Sequence, residues 1–170
     1  MHRKSLLFLF ALLTLLTGCG WPSWPTPTAE AGAFAIYLLE GNLSPREIEG
    51  QDLADLSLQH EPILAQDDLE AYIWDRHELV LSPEAVKRIE GLEVPVAGLA
   101  FVVTVGRERI YQGAFWVPWS SLSYDGVVIQ VPPIPPDRRL RILLAYPTSP
   151  ELFAGEDPRS DPRIQAAVTG

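Results

Sequence analysis

The sequence predicts an α+β fold, a small and mainly antiparallel sheet with two or three short helices, placed after a signal peptide and a proline-rich tether. Three observations predict it. Leu99–Val105 and Arg109–Trp116 are apolar, β-branched and aromatic runs split by Gly106-Arg107, the pattern of a hairpin. Ser44-Pro45-Arg46-Glu47 and Ser82-Pro83-Glu84 each put a capping hydroxyl before proline at the first helical position, so two helices start there. Leu6–Leu16 is an apolar run of 11 residues behind the basic head Met1–Ser5. It is shorter than the roughly 20 residues that span a bilayer core, and it has the length of an export signal.

The elements follow in order. Residues 1–18 form the signal, and 19–32 carry Cys19 and the segment Trp21–Gly32, WPSWPTPTAEAG, whose alternating prolines predict an extended spacer of polyproline II character. Trp21 and Trp24 are also of the kind that settles at lipid headgroups. Residues 33–147 are expected to be the folded α+β domain. Phe34–Leu39 reads as a central strand, apolar on both faces. A short helix follows Ser44 and stops at Gly50. Leu56, Leu58, Ile63 and Leu64 suggest another strand, interrupted by Pro62. Asp67-Asp68-Leu69-Glu70 has the look of a helix start. Tyr72, Trp74, Leu79 and Leu81 around Asp75-Arg76-His77 read as a hairpin. The helix over 83–90 turns Val86 and Ile89 inward and ends at Gly91. Gly113, in mid-strand, predicts a bulge or a close backbone approach. Val127–Val131 and Leu140–Ala145 are two more strands, divided by Pro132-Pro133-Ile134-Pro135-Pro136, which cannot pair inside a sheet. Residues 148–170 are a Pro- and Asp-rich tail with two Asp-Pro-Arg triplets. Asp161 is positioned to cap a last helical stretch through Val168, and the tail either packs loosely on the domain or moves freely.

Leu16-Thr17-Gly18-Cys19, behind that head and apolar run, resembles the lipobox of bacterial lipoprotein precursors. The resemblance implies that the Cys19 sulfur is thioether-linked to diacylglycerol, that a peptidase cuts before it, and that the chain is anchored outside the cytoplasm at a bacterial membrane. Two acyl chains hold where one gives only marginal binding. Gly20 is not the aspartate that marks inner-membrane retention in Gram-negative cells. Farther on, Ile110-Tyr111-Gln112-Gly113-Ala114-Phe115-Trp116 with Ser120-Ser121, preceded by Asp68-Leu69 with Tyr72, Trp74 and His77 and followed by the Asp-Pro-Arg tail, is similar to a pattern in uncharacterised bacterial exported proteins, which implies a small α+β domain and no particular activity.

Composition excludes more than it assigns. The chain has 170 residues, one Cys, 22 Asp+Glu and 13 Lys+Arg, for a formal charge of −9. One cysteine leaves no internal disulfide and no multi-cysteine metal site. The acidic balance excludes a general nucleic-acid binder. Losing residues 1–18 removes Arg3 and Lys4 and no acid, so the anchored chain is more acidic still and is repelled by anionic lipid headgroups.

No cofactor or metal site is predicted. His60 and His77 have no zinc-ligand spacing, and Asp67, Asp68, Glu70 and Asp75 lack a calcium-loop pattern, so capping and a solvated face account for them. Ser120, Ser121 and Ser123 with a histidine and an acid allow a hydrolase on paper, without a nucleophile-elbow motif. Hydroxyls bonding the backbone of a turn are the plainer reading. The aromatic group Tyr111, Phe115, Trp116, Trp119 and Tyr124 points to recognition. Core packing is its plainer reading, since strand neighbours alternate. From these, the binding residues are expected to be Trp116, Trp119, Tyr124 and Tyr111, with Trp119 and Tyr124 partly exposed. The expected role is a binding or accessory module of the cell envelope, with an envelope protein or glycan as partner. The alternatives are an envelope hydrolase using Ser120 or Ser121 and a small ligand-capturing accessory of a transporter.

Overall fold

A computed structural model describes residues 32–153 and 155–169. Cys19, the signal, Trp21 and Trp24 lie outside them. Eight strands form a single curled sheet: β1 Phe34–Leu38, β2 Leu64–Ala65, β3 Leu69–Ile73, β4 Glu78–Leu81, β5 Leu99–Val105, β6 Glu108–Trp116, β7 Tyr124–Gln130 and β8 Arg139–Tyr146. Their order is β2-β1-β5-β6-β7-β8-β4-β3. The body is mainly β. All neighbours are antiparallel except β6 and β7, which run parallel with Gly113 opposite Val127 and Trp116 opposite Gln130, so the sheet is mixed. Only residues 117–123 connect that pair. They must carry the chain back along β6, which folds this link over the outer face of the sheet.

The sheet closes into a half-barrel for a chain-length reason. Its two edge strands, β2 and β3, are joined by Gln66–Asp68 alone, so the edges are held together by a three-residue link. Gln66 locks that seam: its Oε1 accepts from Phe34 N and its Nε2 donates to Ala167 O, both at 2.9 Å. The inner face carries the main core. Phe34 and Ile36 of β1, Phe101 and Val103 of β5, and Phe115 of β6 alternate inward with Val127, Ile129 and Ile142. Two helices plug this face, α1 Pro83–Glu90 through Ala85 and Ile89, and α2 Pro162–Thr169 through Ile164 and Ala167. On the outer face, Ala100 and Val102 are covered by Leu39, Ile48 and Leu56, while Ala114, Trp116 and Val128 pack with Tyr124 and Tyr146.

Several elements stand as expected. Ser82 caps α1 by accepting from Ala85 N, and the 99–116 hairpin and the 69–81 hairpin are both present. Gly113 answers the alternative posed for it. The bulge in β6 lies between Val103 and Thr104 of its partner, and Gly113 is instead a close approach, with the Phe101 ring lying over it. Other readings are corrected. Asp67–Glu70 starts no helix: Asp68 accepts from Ala65 N across a single 3-10 turn, and β3 begins at Leu69, because the edge must pair with β4. After Ser44 the chain makes only the 3-10 turn Pro45–Ile48, and the strand expected near 56–64 is reduced to one bridge at Leu58 and the short β2. The folded body also runs past 147. Ile164 is fully buried in the main core, and Arg159 Nη1 donates to Ile142 O at 2.6 Å.

Candidate functional site

The link 117–123 is held by four side-chain hydrogen bonds. Ser120 Oγ donates to Val96 O at 2.6 Å and accepts from Leu122 N at 3.1 Å. Tyr146 Oη reaches from β8 to Pro118 O at 2.8 Å and Ser120 O at 3.1 Å. The result is an apolar tip. Val96, Trp119 and Leu122 stand 57%, 64% and 48% exposed, three of the four large hydrophobics that are exposed among the described residues. Beneath them Trp116 stacks on Tyr124, centroids 5.6 Å apart and 8° between planes, and packs against Tyr146 at 5.7 Å.

The four aromatic candidates therefore separate. Trp119 is exposed and Tyr124 is half-buried, with its hydroxyl pushed up to about 12 by burial and then by Asp125. Trp116 is buried beneath the tip as its platform. Tyr111 faces the opposite, inner side of the sheet and shares no surface with the other three. Ser120 is nearly buried and spends its hydroxyl on fixing the turn, while Ser121 is exposed. His60 is exposed and contacts only Glu61, and His77 sits in the turn between β3 and β4.

Beside the tip, a groove of about 640 Å³ crosses the outer face. Glu78 of β4 forms its floor. The residue is almost fully buried, and both carboxylate oxygens are engaged from β8, by Arg141 Nε at 3.0 Å and Arg139 Nη1 at 3.3 Å. Pairing of Glu78 opposite Arg141 in the register places these charges on one face. Arg139 Nε also meets Asp137 at 3.3 Å. Arg76 lines the same groove, and prolines 118, 132, 133 and 135 wall it. Neither the groove nor Val96 and Leu122 stands out among the motifs of the sequence. A usable signal was present: Arg139 and Arg141 alternate with Leu140 and Ile142, which marks a charged outer face on an otherwise buried strand.

The inner face holds a second polar group. Phe34, Tyr72, Trp74 and His77 form a chain of ring contacts at 5.7–6.0 Å. Among the described residues, the hydroxyls of Tyr72 and Tyr111 and His77 Nδ1 are buried without hydrogen-bond partners. Burial pushes the Tyr72 hydroxyl up to about 12 and Tyr111 well above its usual range, so both stay protonated as donors and neither is a nucleophile near neutral pH. Burial, and next the Arg159 charge, lower His77. Asp157 is held low by its bidentate bond from Arg159.

Among the described residues, no cluster of His, Cys, Asp and Glu is arranged to hold a metal ion, and no helix is long and apolar enough to cross a membrane. No family model, no curated protein and no solved structure matches the chain.

Proposed function

We propose that this chain is a lipid-anchored lipoprotein of the bacterial cell envelope, attached through Cys19, whose folded body is a binding module and not a catalyst. The observation that carries the reading is the apolar tip. An isolated exposed side chain needs no explanation, but Val96, Trp119 and Leu122 are displayed on two segments tied by the Ser120–Val96 bond. An exposed tryptophan on a braced loop costs hydration without contributing to the core, and indoles concentrate at recognition surfaces. The hydrolase alternative is weaker. Ser120 donates its proton to a backbone carbonyl.

Two measurements test the reading. The full chain expressed in a bacterial host should fractionate with membranes and carry a lipid mass at Cys19, and Cys19→Ser should release it. The detergent-solubilised full chain, immobilised, should retain a defined protein or glycan from envelope extract. Trp119→Ala should retain at least tenfold less. A soluble wild type refutes the anchor, and equal retention by the variant refutes the tip.

A further inference from the structure

We infer that the outer-face groove binds an acidic, carboxylate-bearing glycan strand, with the acid seated at Arg76 and Arg141 and a sugar ring against Trp119. The inference rests on the reading of the chain as an envelope binding module and names its ligand class.

The charge arrangement comes first. Glu78 is 98% buried and neutralised by two arginines, so it acts as a fixed mount. Arg141 lines the groove with its side chain 69% exposed and is tied through Nε alone, which leaves its terminal Nη groups without an acceptor among the described residues. Arg76 is exposed and makes no ion pair among the described residues. Arg76, Arg139 and Arg141 face Glu78 and Asp137, so the groove carries excess positive charge on a chain of formal charge −9. Planar guanidinium forks match carboxylate geometry.

The walls then choose between polymers. A peptide that binds by main-chain pairing adds to a sheet edge. This groove crosses the face of β4, β8 and β7, and no residue of the edge strands β2 and β3 lines it. Its walls are prolines 118, 132, 133 and 135, which have no N–H to offer a peptide carbonyl. Gln130 and Thr148 do suit hydroxyls, which donate and accept. From β4 to the chain leaving β6 is three strand spacings, about 14 Å, so the cationic end and Trp119 lie a short oligosaccharide apart.

Orientation agrees with access to an envelope polymer. The chain enters the body at Gly32, against Gly106 of the β5–β6 turn. Pro118, Gln130 and Pro132 belong to the opposite end of β6 and β7, so the groove opens away from the tethered end.

The test is calorimetric titration of the full chain in detergent micelles with short oligogalacturonate, a neutral malto-oligosaccharide of equal length and an oligoglutamate peptide. The acidic saccharide should bind, more weakly as salt rises, and Arg76→Gln and Trp119→Ala should each weaken it about tenfold or more while unfolding at the wild-type temperature. Arg76→Gln breaks no ion pair, so folding is not at risk. Absence of oligogalacturonate binding, equal binding of the neutral sugar, tighter binding of the peptide, or indifference to Arg76→Gln overturns the inference. If the saccharide fails while Trp119-dependent retention from envelope extract persists, the module reading stands and only the ligand class falls.

Discussion

Ser120 Oγ lies 2.6 Å from Val96 O, and this one bond joins the two loops that display the exposed tip. Ser120→Ala removes it, leaves Val96 O short of a donor and frees Leu122 N. The expected loss is about 1–2 kcal/mol, read as a lower urea midpoint at unchanged slope. Retention of the envelope ligand should fall with it, because Val96 and Leu122 lose their common brace. A hydrolytic serine would behave otherwise, abolishing turnover while leaving the midpoint in place.

Gly113 supplies the second prediction. A Cβ there would stand 2.5 Å from Phe101 Cζ and 2.7 Å from Val127 O. The ring is fully buried and the carbonyl belongs to the parallel partner strand, so neither neighbour gives way cheaply. Gly113→Ala should therefore destabilise by about 1–3 kcal/mol, despite adding a residue better suited to strands than glycine. Thermal unfolding checks it, and an unchanged midpoint would remove the close-approach account.

What could be read in the sequence was local. Ser82-Pro83 fixes α1 because cap and proline act within one turn, and the 99–116 hairpin follows from two apolar runs around Gly106-Arg107. Long-range competition decided the rest. Asp67 and Asp68 have the residues of a helix start, yet Leu69, Ala71 and Tyr72 complete the sheet edge by pairing with β4. No spacing in the chain signals that β6 and β7 run parallel. That follows from the 117–123 link folding back over Tyr146. Of the site, Trp119 was legible as an aromatic in a loop. Val96 was not, since its partner Ser120 lies far along the chain, and neither was the groove, which needs β4 beside β8.

The C-terminal segment yields the third prediction. The sequence shows α2 its cap, Asp161, but not its destination. Ile164 is fully buried among inner-face residues, and the Gln66 side chain ties Ala167 O to the seam between the sheet edges. Ile164→Ala should cost about 2–5 kcal/mol, the usual range for emptying a closed core position. Gln66→Ala removes both the Phe34 and Ala167 bonds, with an expected cost of about 1–3 kcal/mol. Hydrogen exchange should then rise first in β1 and α2. A loose tail would give a wild-type midpoint for Ile164→Ala.

Acid should weaken the fold in two separate steps. His77 is held below its ordinary 6.5, by burial first and then by Arg159, with Asp157 opposing. Above pH 6.5 folded and unfolded chains both carry a neutral imidazole there, so its contribution is fully present. As pH falls through 6.5 toward the folded value, the unfolded chain takes up a proton that the folded one refuses, and stability is lost. Asp157 is held below its ordinary 3.8, chiefly by the side-chain bond from Arg159. Its contribution is present above 3.8 and disappears as pH falls below that toward the folded value. His77 has φ 50°, a conformation asparagine tolerates, so His77→Asn is the variant that isolates the first step without backbone strain. Urea midpoints at pH 7.5 and 5.5 should differ in the wild type and converge in His77→Asn, whereas Asp157→Asn, which removes the charge opposing the His77 shift, should widen that difference and lessen the decline below pH 4. A His77→Asn protein with the wild-type drop between pH 7.5 and 5.5 would place the upper step on another group.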